Sequence, residues 1–434
     1  MEKEGKGFKE IEIAELDAYL GLLIAGGITH QTRTKFDSLW RDSPFIPTIF
    51  KTAMNRDRSR EIRRFLRFDD KSTRSDRLKT DKLAAIREIY EMIVNQFKSS
   101  YQPNPTLTVD ERISPFRGRV GFRIYMKSKP KKYGIKIWML NDSVNSYSLN
   151  FKIYAGKEGK KSEVNQGENV VMDLTSYLQG GYNITTDNFF TSIPLALKLQ
   201  QRKNKMALLG TIKASRKHIP PMLKNFPRNE QYTSKFVFNE DMMLLNYVYK
   251  PKKSVLLLSS SHPSDEIMSG DQRKPKLIGD YNHTKYGVDK LDGMTQVMSC
   301  IRAARRWTVN VFSNMLDMIC LNSFICYREA VDASITRNDF MMKLCLDLCK
   351  SNVQNRLSIT NLPRTVKSNI FKLYPDLQPP DLPKEERPKP AKNEKCDLCI
   401  GLYNERKFAT QFCTSCDQKI CKKHQQEPKC SNCE

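Results

Sequence analysis

With 434 residues, 39% of them hydrophobic and 28% charged, the chain is long enough for two to three domains and too apolar to be disordered throughout. Its 73 Lys and Arg against 48 Asp and Glu leave a formal charge of +25, more than solubility requires, which points to a polyanionic partner. The longest apolar run, Tyr19 to Ile28, covers 10 residues and falls short of the ~18–20 that a bilayer span needs, so no membrane is expected, and the opening Met-Glu-Lys-Glu-Gly-Lys has no secretory apolar stretch.

Residues 9 to 100 carry helical periodicity, through Ile11, Ile13, Leu16, Tyr19, Leu20 and Leu23 and again through Leu83, Ile86, Ile89, Met92, Ile93 and Phe97. Arg56 to Phe68 between them is basic and amphipathic, either a solvated helix face or a contact to a phosphate backbone. After Pro103 and Pro105 the pattern becomes that of strands: Thr106 to Asp110, Gly134 to Leu140 and Tyr147 to Tyr154 are rich in β-branched and aromatic residues and bounded by turns. A helix over 169–178, a strand over 182–187, a helix from Ser192 to about Arg202 and a strand over 207–213 complete a βββαβαβ succession, a mixed α/β sheet with helices packed on it. Short alternating segments from 215 to 282 read as a β-rich insertion. From Gly287 to Ala330 helical periodicity resumes as one long buried segment, and a Pro-rich charged linker, 376–395, precedes the tail.

The tail, 396–434, holds seven of the chain's 12 cysteines. Cys396/Cys399, Cys413/Cys416, Cys421/His424 and Cys430/Cys433 are four pairs, each spanning two intervening residues, the knuckle spacing that lets both members reach one zinc ion. Eight ligands imply two structural Zn²⁺. The spacings suit a cross-brace, first pair with third and second with fourth, while sequential pairing of the same residues is the alternative. Disulfides are disfavoured by the absence of a secretory signal, and Cys300, Cys320, Cys326, Cys345 and Cys349 are more simply core residues.

Three aspartates stand at element ends: Asp110 closes the first strand, Asp187 closes the 182–187 strand, and Asp289 opens the long helical segment. Carboxylates converging from strand ends repel one another unless cations neutralise them, and two Mg²⁺ or Mn²⁺ ions so held can activate one phosphodiester oxygen and stabilise another. Basic clusters follow each acid. Arg117, Arg119, Arg123, Lys129, Lys131 and Lys132 come after Asp110, in a stretch from Ile113 to Leu140 that has no acidic residue; Lys213, Arg216 and Lys217 come after Asp187; Arg302, Arg305 and Arg306 come after Asp289. These are the expected contacts to DNA phosphates.

Four long segments, Thr108 to Arg119, Ser128 to Lys136, Asn183 to Pro194 and Gly287 to Asp292, joined by Arg305-Arg306-Trp307 and Asn322-Ser-Phe324, resemble the piggyBac transposases and their domesticated derivatives. The resemblance extends from about residue 10 to the terminal Cys/His module. It implies an RNase H-like core in two parts, 105–214 and 283–375 with closing helices, interrupted by the insertion at 215–282, preceded by a helical dimerization and DNA-binding region at 1–104 and followed by the zinc module. It assigns catalysis to Asp110, Asp187 and Asp289, with Asp292 at the position of an additional required acid. It further implies nicking at transposon ends, hairpin formation and strand transfer into TTAA sites, double-stranded DNA and a second copy of the chain as partners, and a nuclear location, for which Lys384 to Lys395 is a weak basic signal. Relative to that family the chain opens short at its N terminus. The alternative is a domesticated DNA-binding protein without cleavage.

Overall fold

The computed structural model describes residues 9–127, 132–157, 163–202, 205–261, 264–378, 389–403, 405–426, 429–431 and 433. In chain order it forms helices α1 (Ile13–Ile28), α2 (Ile49–Ala53), α3 (Arg56–Phe65), α4 (Arg74–Arg77) and α5 (Arg87–Ser99), then strands β1 (Thr106–Pro115), β2 (Ile124–Tyr125), β3 (Tyr133–Asp142) and β4 (Ser148–Ile153). Alternation follows: α6 (Gln166–Leu174), β5 (Asn183–Thr186), α7 (Ile193–Gln200), β6 (Ala207–Thr211), α8 (Pro221–Lys224), β7 (Ser234–Phe238), β8 (Met243–Lys250) and β9 (Lys253–Ser259). The remainder is helical, α9 (Lys276–Thr284), α10 (Gly287–Val297), α11 (Trp307–Ala330), α12 (Arg337–Leu357) and α13 (Arg364–Leu373), before the tail with α14 (Asp397–Tyr403) and the short strands β10 (Gln411–Phe412), β11 (Lys419–Ile420), β12 (Gln425–Gln426) and β13 (Lys429–Cys430).

Two compact units divide the chain, 1–66 with 338–434 and 67–337. These units cut across the segments expected from sequence, because α5 spends its apolar face on the sheet: Tyr90, Ile93, Val94 and Phe97 recur at helical spacing and are buried, and the Tyr90 hydroxyl donates to the Phe151 carbonyl at 2.9 Å. In the smaller unit α1 meets α12 at close range. A Cβ on Gly21 would lie 2.6 Å from the Cys349 Sγ, and the Cys345 Sγ donates to the Gly21 carbonyl at 3.3 Å.

The larger unit is built on a nine-stranded sheet in the order β2-β3-β1-β5-β6-β9-β8-β7, with β4 also on β3. β1, β3 and β4 run antiparallel, while β1, β5 and β6 run parallel through the crossovers that contain α6 and α7. This is a mixed α/β core of the RNase H-like type. α7 starts where Ser192 accepts a bond from the Leu195 amide at 3.1 Å, with Pro194 in its first turn. Strands β7 to β9, read as a separate insertion, extend the same sheet. β6 would otherwise present an open edge, and β9 covers it with Leu209 opposite Ser259 and Thr211 opposite Leu257.

Two further differences concern helices. β1 continues to Pro115, so Asp110 is mid-strand, and the segment expected as one helix from 287 to 330 breaks between Val297 and Trp307. That break contains neither Pro nor Gly. It is held from outside: the buried Asp317 of α11 accepts bonds from the Cys300 amide and the Ser299 hydroxyl, both at 2.7 Å. α11 is long and apolar enough to cross a membrane by length and composition alone, yet 78% of its most apolar window is buried inside the unit as a core helix. Two of its asparagines meet partners there: Asn322 accepts from the Ser148 amide and donates to the Ser148 carbonyl, both at 2.9 Å, and Asn310 donates to the Pro115 carbonyl at 3.0 Å.

Candidate functional site

β1 and β5 pair in parallel with Val109 opposite Thr186, so Asp110 and Asp187 stand side by side one residue past the last pair. This is the carboxyl end of a parallel strand pair, where α/β sheets place their ligands. Asp187 is fixed by its own loop: its Oδ1 accepts the Phe189 amide at 2.8 Å, and Arg216 donates to the Phe189 carbonyl at 2.7 Å. The Asp110 Oδ1 accepts the Glu111 amide at 2.7 Å. Both aspartates are half-buried, whereas Asp289 is exposed.

Strand alternation puts Thr108, Asp110, Arg112 and Ser114 on one face of β1. Across that face lie α9 and α10. The Thr108 hydroxyl donates to the Thr284 carbonyl at 2.5 Å, the Thr185 hydroxyl donates to the Thr284 hydroxyl at 2.8 Å, and Asn141 donates to the Gly287 carbonyl at 3.2 Å. α10 approaches so closely that a Cβ on Gly287 would sit 2.6 Å from the Thr108 Oγ1. Further along, Arg112 pairs with Asp292 at 2.8 Å and reaches the Thr295 hydroxyl at 3.3 Å. Asp289 lies between these two anchors along α10, as Asp110 lies between Thr108 and Arg112 on β1. Tyr281 of α9 looks onto the same place. Burial, with the charges of Asp187 and Asp110 adding to it, pushes its phenol above the usual tyrosine range.

Among the described residues, only two sets of three or more ligating side chains have ligand atoms all within 4.8 Å of one another, and neither contains these aspartates. The first is Cys396, Cys399, Cys421 and His424; the second is Cys413, Cys416, Cys430 and Cys433. The tail therefore has the cross-brace and not the sequential pairing. Zinc fits both sets, because tetrahedral bonds of ~2.3 Å put neighbouring sulfurs about 3.8 Å apart. Cys399 and Cys421 are 3.7 Å apart, Cys416 and Cys430 are 3.6 Å apart, and the His424 Nδ1 is 3.5 Å from both Cys396 and Cys399. No described cysteine is in a disulfide. Around the ligands the module is anchored by Asp397, which accepts from Arg364 of α13 at 2.6 Å and from the Lys419 amide at 2.9 Å.

The basic residues separate into roles. Arg117, Arg119, Lys132, Lys213, Lys217 and Arg305 are exposed, Arg302 and Arg306 half-buried, and Lys129 and Lys131 lie outside the described residues. Arg123 is exposed yet tied to its own loop through the Arg117 and Gly118 carbonyls, both at 2.9 Å. Arg216 braces the Asp187 loop. Arg119, Arg305 and Arg306, which sequence assigned to two different acids, line one cleft of about 600 Å³ together with Arg67, Lys82 and Lys157, against Phe68, Phe122 and Trp307. Lys82 and Lys157 were missed because neither sits in a basic run beside an acid.

A family model described as Transposase IS4 matches residues 1–324. Of solved structures, a piggyBac transposase, determined by cryo-EM as a synaptic complex with hairpin DNA, is similar over 100% of this chain and 91% of its own, with a TM-score of 0.86 and 33% identity. The chain belongs to the piggyBac-type transposase family. Curated relatives of that family include PiggyBac transposable element-derived protein 3 of Homo sapiens, 23% identical over 331 residues, which are 72% of this chain and 54% of the relative. The Chimeric ERCC6-PGBD3 protein of Homo sapiens matches at the same identity over 30% of its length. The chain thus spans about half, or less, of these curated relatives.

Proposed function

We propose that the chain is a metal-dependent DNA transposase that nicks transposon ends, forms hairpins and transfers strands into TTAA sites, in the nucleus and as a homodimer. The observation that supports this reading is the side-by-side placement of Asp110 and Asp187 at the carboxyl end of the β1/β5 pair, with Asp289 on α10, which packs against β1. Oxygen-only donors, two of them half-buried, suit Mg²⁺ or Mn²⁺, and two such ions would supply activation of the attacking oxygen and stabilisation of the departing one. The protein's part is to hold acids that repel one another at fixed spacing, with Thr284 tying β1 and β5 to α9 beside them. Basic residues of the 600 Å³ cleft give phosphates a place to lie, and the zinc module is suited to reading transposon ends. The similarity to a transposase solved with hairpin DNA supports the same chemistry.

The test is a supercoiled plasmid carrying transposon ends, incubated with the chain and Mg²⁺. Hairpinned ends are expected, and Asp187→Ala should lower their yield by on the order of 10³-fold or more, since acids acting as a unit fail together. DNA binding by the intact chain without cleavage would overturn this reading in favour of a domesticated binding protein, a reading that its similarity to a transposable element-derived human protein also supports.

A further inference from the structure

We infer that Tyr281 is a further catalytic residue of the carboxylate site, its phenol hydroxyl donating to a non-bridging oxygen of the phosphodiester that is cut, with Thr211 aiming it. The inference rests on the transposase reading of the acids and deepens it.

Its basis is a row of residues across three parallel strands. Val109 pairs with Thr186 and Thr186 with Gly210, so the residues that follow, Asp110 of β1, Asp187 of β5 and Thr211 of β6, stand at one level. Strand alternation gives them one face of the sheet, shared with Thr108, Thr185 and Leu209 two residues earlier. The opposite face is occupied at this point: a Cβ on Gly210 would lie 2.3 Å from the Thr191 Oγ1 and 2.7 Å from the Thr186 Oγ1.

α9 crosses the earlier of these two rows. Leu277 and Ile278 share a buried cluster with Leu209, and Thr284 accepts from the hydroxyls of Thr108 and Thr185. Tyr281 lies between those attachments along the helix, and its hydroxyl reaches one row further, to the Thr211 hydroxyl at 3.4 Å. The phenol thus stands at the row of the acids, and the charges of Asp187 and Asp110 act on it there. Asp110, Asp187, Thr211 and Tyr281 are all only half-buried, which leaves the row open to a substrate.

The chemistry of the group suits the place. A phosphodiester brought beside two carboxylates meets like charge, and hydrogen-bond donors aimed at its oxygens offset that repulsion, most of all as charge develops during the displacement. Burial first, and then the two aspartates, keep the phenol protonated, so it serves as a donor that holds its proton throughout. With Thr211 donating into the phenol oxygen, the phenol proton is left for the substrate. Lys285, one turn on in α9, places its Nζ 5.3 Å from the centre of the Tyr281 ring and 4.7 Å from that of Tyr286, and adds positive charge beside the phenol.

The test is nicking by the full-length chain, at saturating protein and in Mg²⁺, of a synthetic duplex transposon end whose scissile phosphate carries sulfur at one or the other non-bridging position. On the all-oxygen duplex Tyr281→Phe should slow the nick roughly 10–100-fold, the effect of losing one hydrogen bond to a charged group, and Thr211→Val should slow it less. Sulfur accepts hydrogen bonds poorly, so with one diastereomer the intact chain should be slowed and Tyr281→Phe should add little, while with the other the full loss should remain. If Tyr281→Phe fails to fold, Thr211→Val carries the same comparison between diastereomers. Full-rate nicking by Tyr281→Phe, or an equal loss on both diastereomers, would overturn the proposal and leave the transposase reading intact. No nicking by the intact chain would overturn both.

Discussion

The carboxylate site and the zinc module solve the same problem, gathering mutually repelling ligands, by opposite means. In the module eight ligands come from one short stretch, and the metal itself supplies the reason to be folded, since so small a segment buries little else. In the proposed carboxylate site the three acids come from β1, the end of β5 and the start of α10, elements that belong to a nine-stranded sheet and its covering helices. The module should stand or fall with its ions, whereas the sheet should keep its shape without any.

Removing zinc breaks the comparison most sharply. Chelation, or Cys413→Ser, should abolish amide-exchange protection over 389–433 and leave the strands β1, β3, β5 and β6 protected, with two zinc ions released per intact chain; loss of protection in the sheet as well would show the two regions to be one. Next in size is the clasp between α11 and β4. Asn322→Ala strands both polar backbone groups of Ser148 in the interior, which should cost about 3 kcal/mol in urea unfolding.

A pH effect of similar or smaller size belongs to the sheet unit alone. Burial pushes the Asp317 carboxyl up to about 6, above the 3.8 of an unhindered aspartate, so the folded state binds the proton more tightly than the unfolded one. Its stabilisation is complete below pH ~4 and is lost as pH rises through about 6, on the order of 2–3 kcal/mol, and Asp317→Asn should flatten that slope in unfolding titrations. Lys152→Ala marks the small end, because its pair with Asp173 is half-exposed on both sides; a change of less than about 0.5 kcal/mol is expected.

How much of this was legible in the sequence follows the same division. The zinc ligands were readable residue by residue because knuckle spacing is local, and the cross-brace among them was one of two open pairings. Strands β1, β3, β4, β5 and β6 announced themselves through β-branched runs between turns. The break between α10 and α11 did not, because its residues from Met298 to Arg306 are acceptable helix formers and the interruption is imposed by Asp317, well downstream. α9 was missed because Leu277, Ile278 and Tyr281 pack onto strands of what read as a separate insertion. Arg112 fell beyond the strand expected over 106–110, and only α10, arriving from far along the chain, supplies its partner Asp292.

α11 carries a consequence for how the chain is made. As it leaves the ribosome, before β1 and β4 can receive it, this helix offers the translocation machinery a segment of the right length and apolarity for a bilayer. Asn310, Asn314, Asp317 and Asn322 oppose that outcome, since each would enter lipid as an unpaid polar group, with Asp at the helix centre alone costing about 2.5–3.5 kcal/mol. Of these four, Asn310 and Asn322 are also the side chains that clasp β1 and β4 in the finished protein.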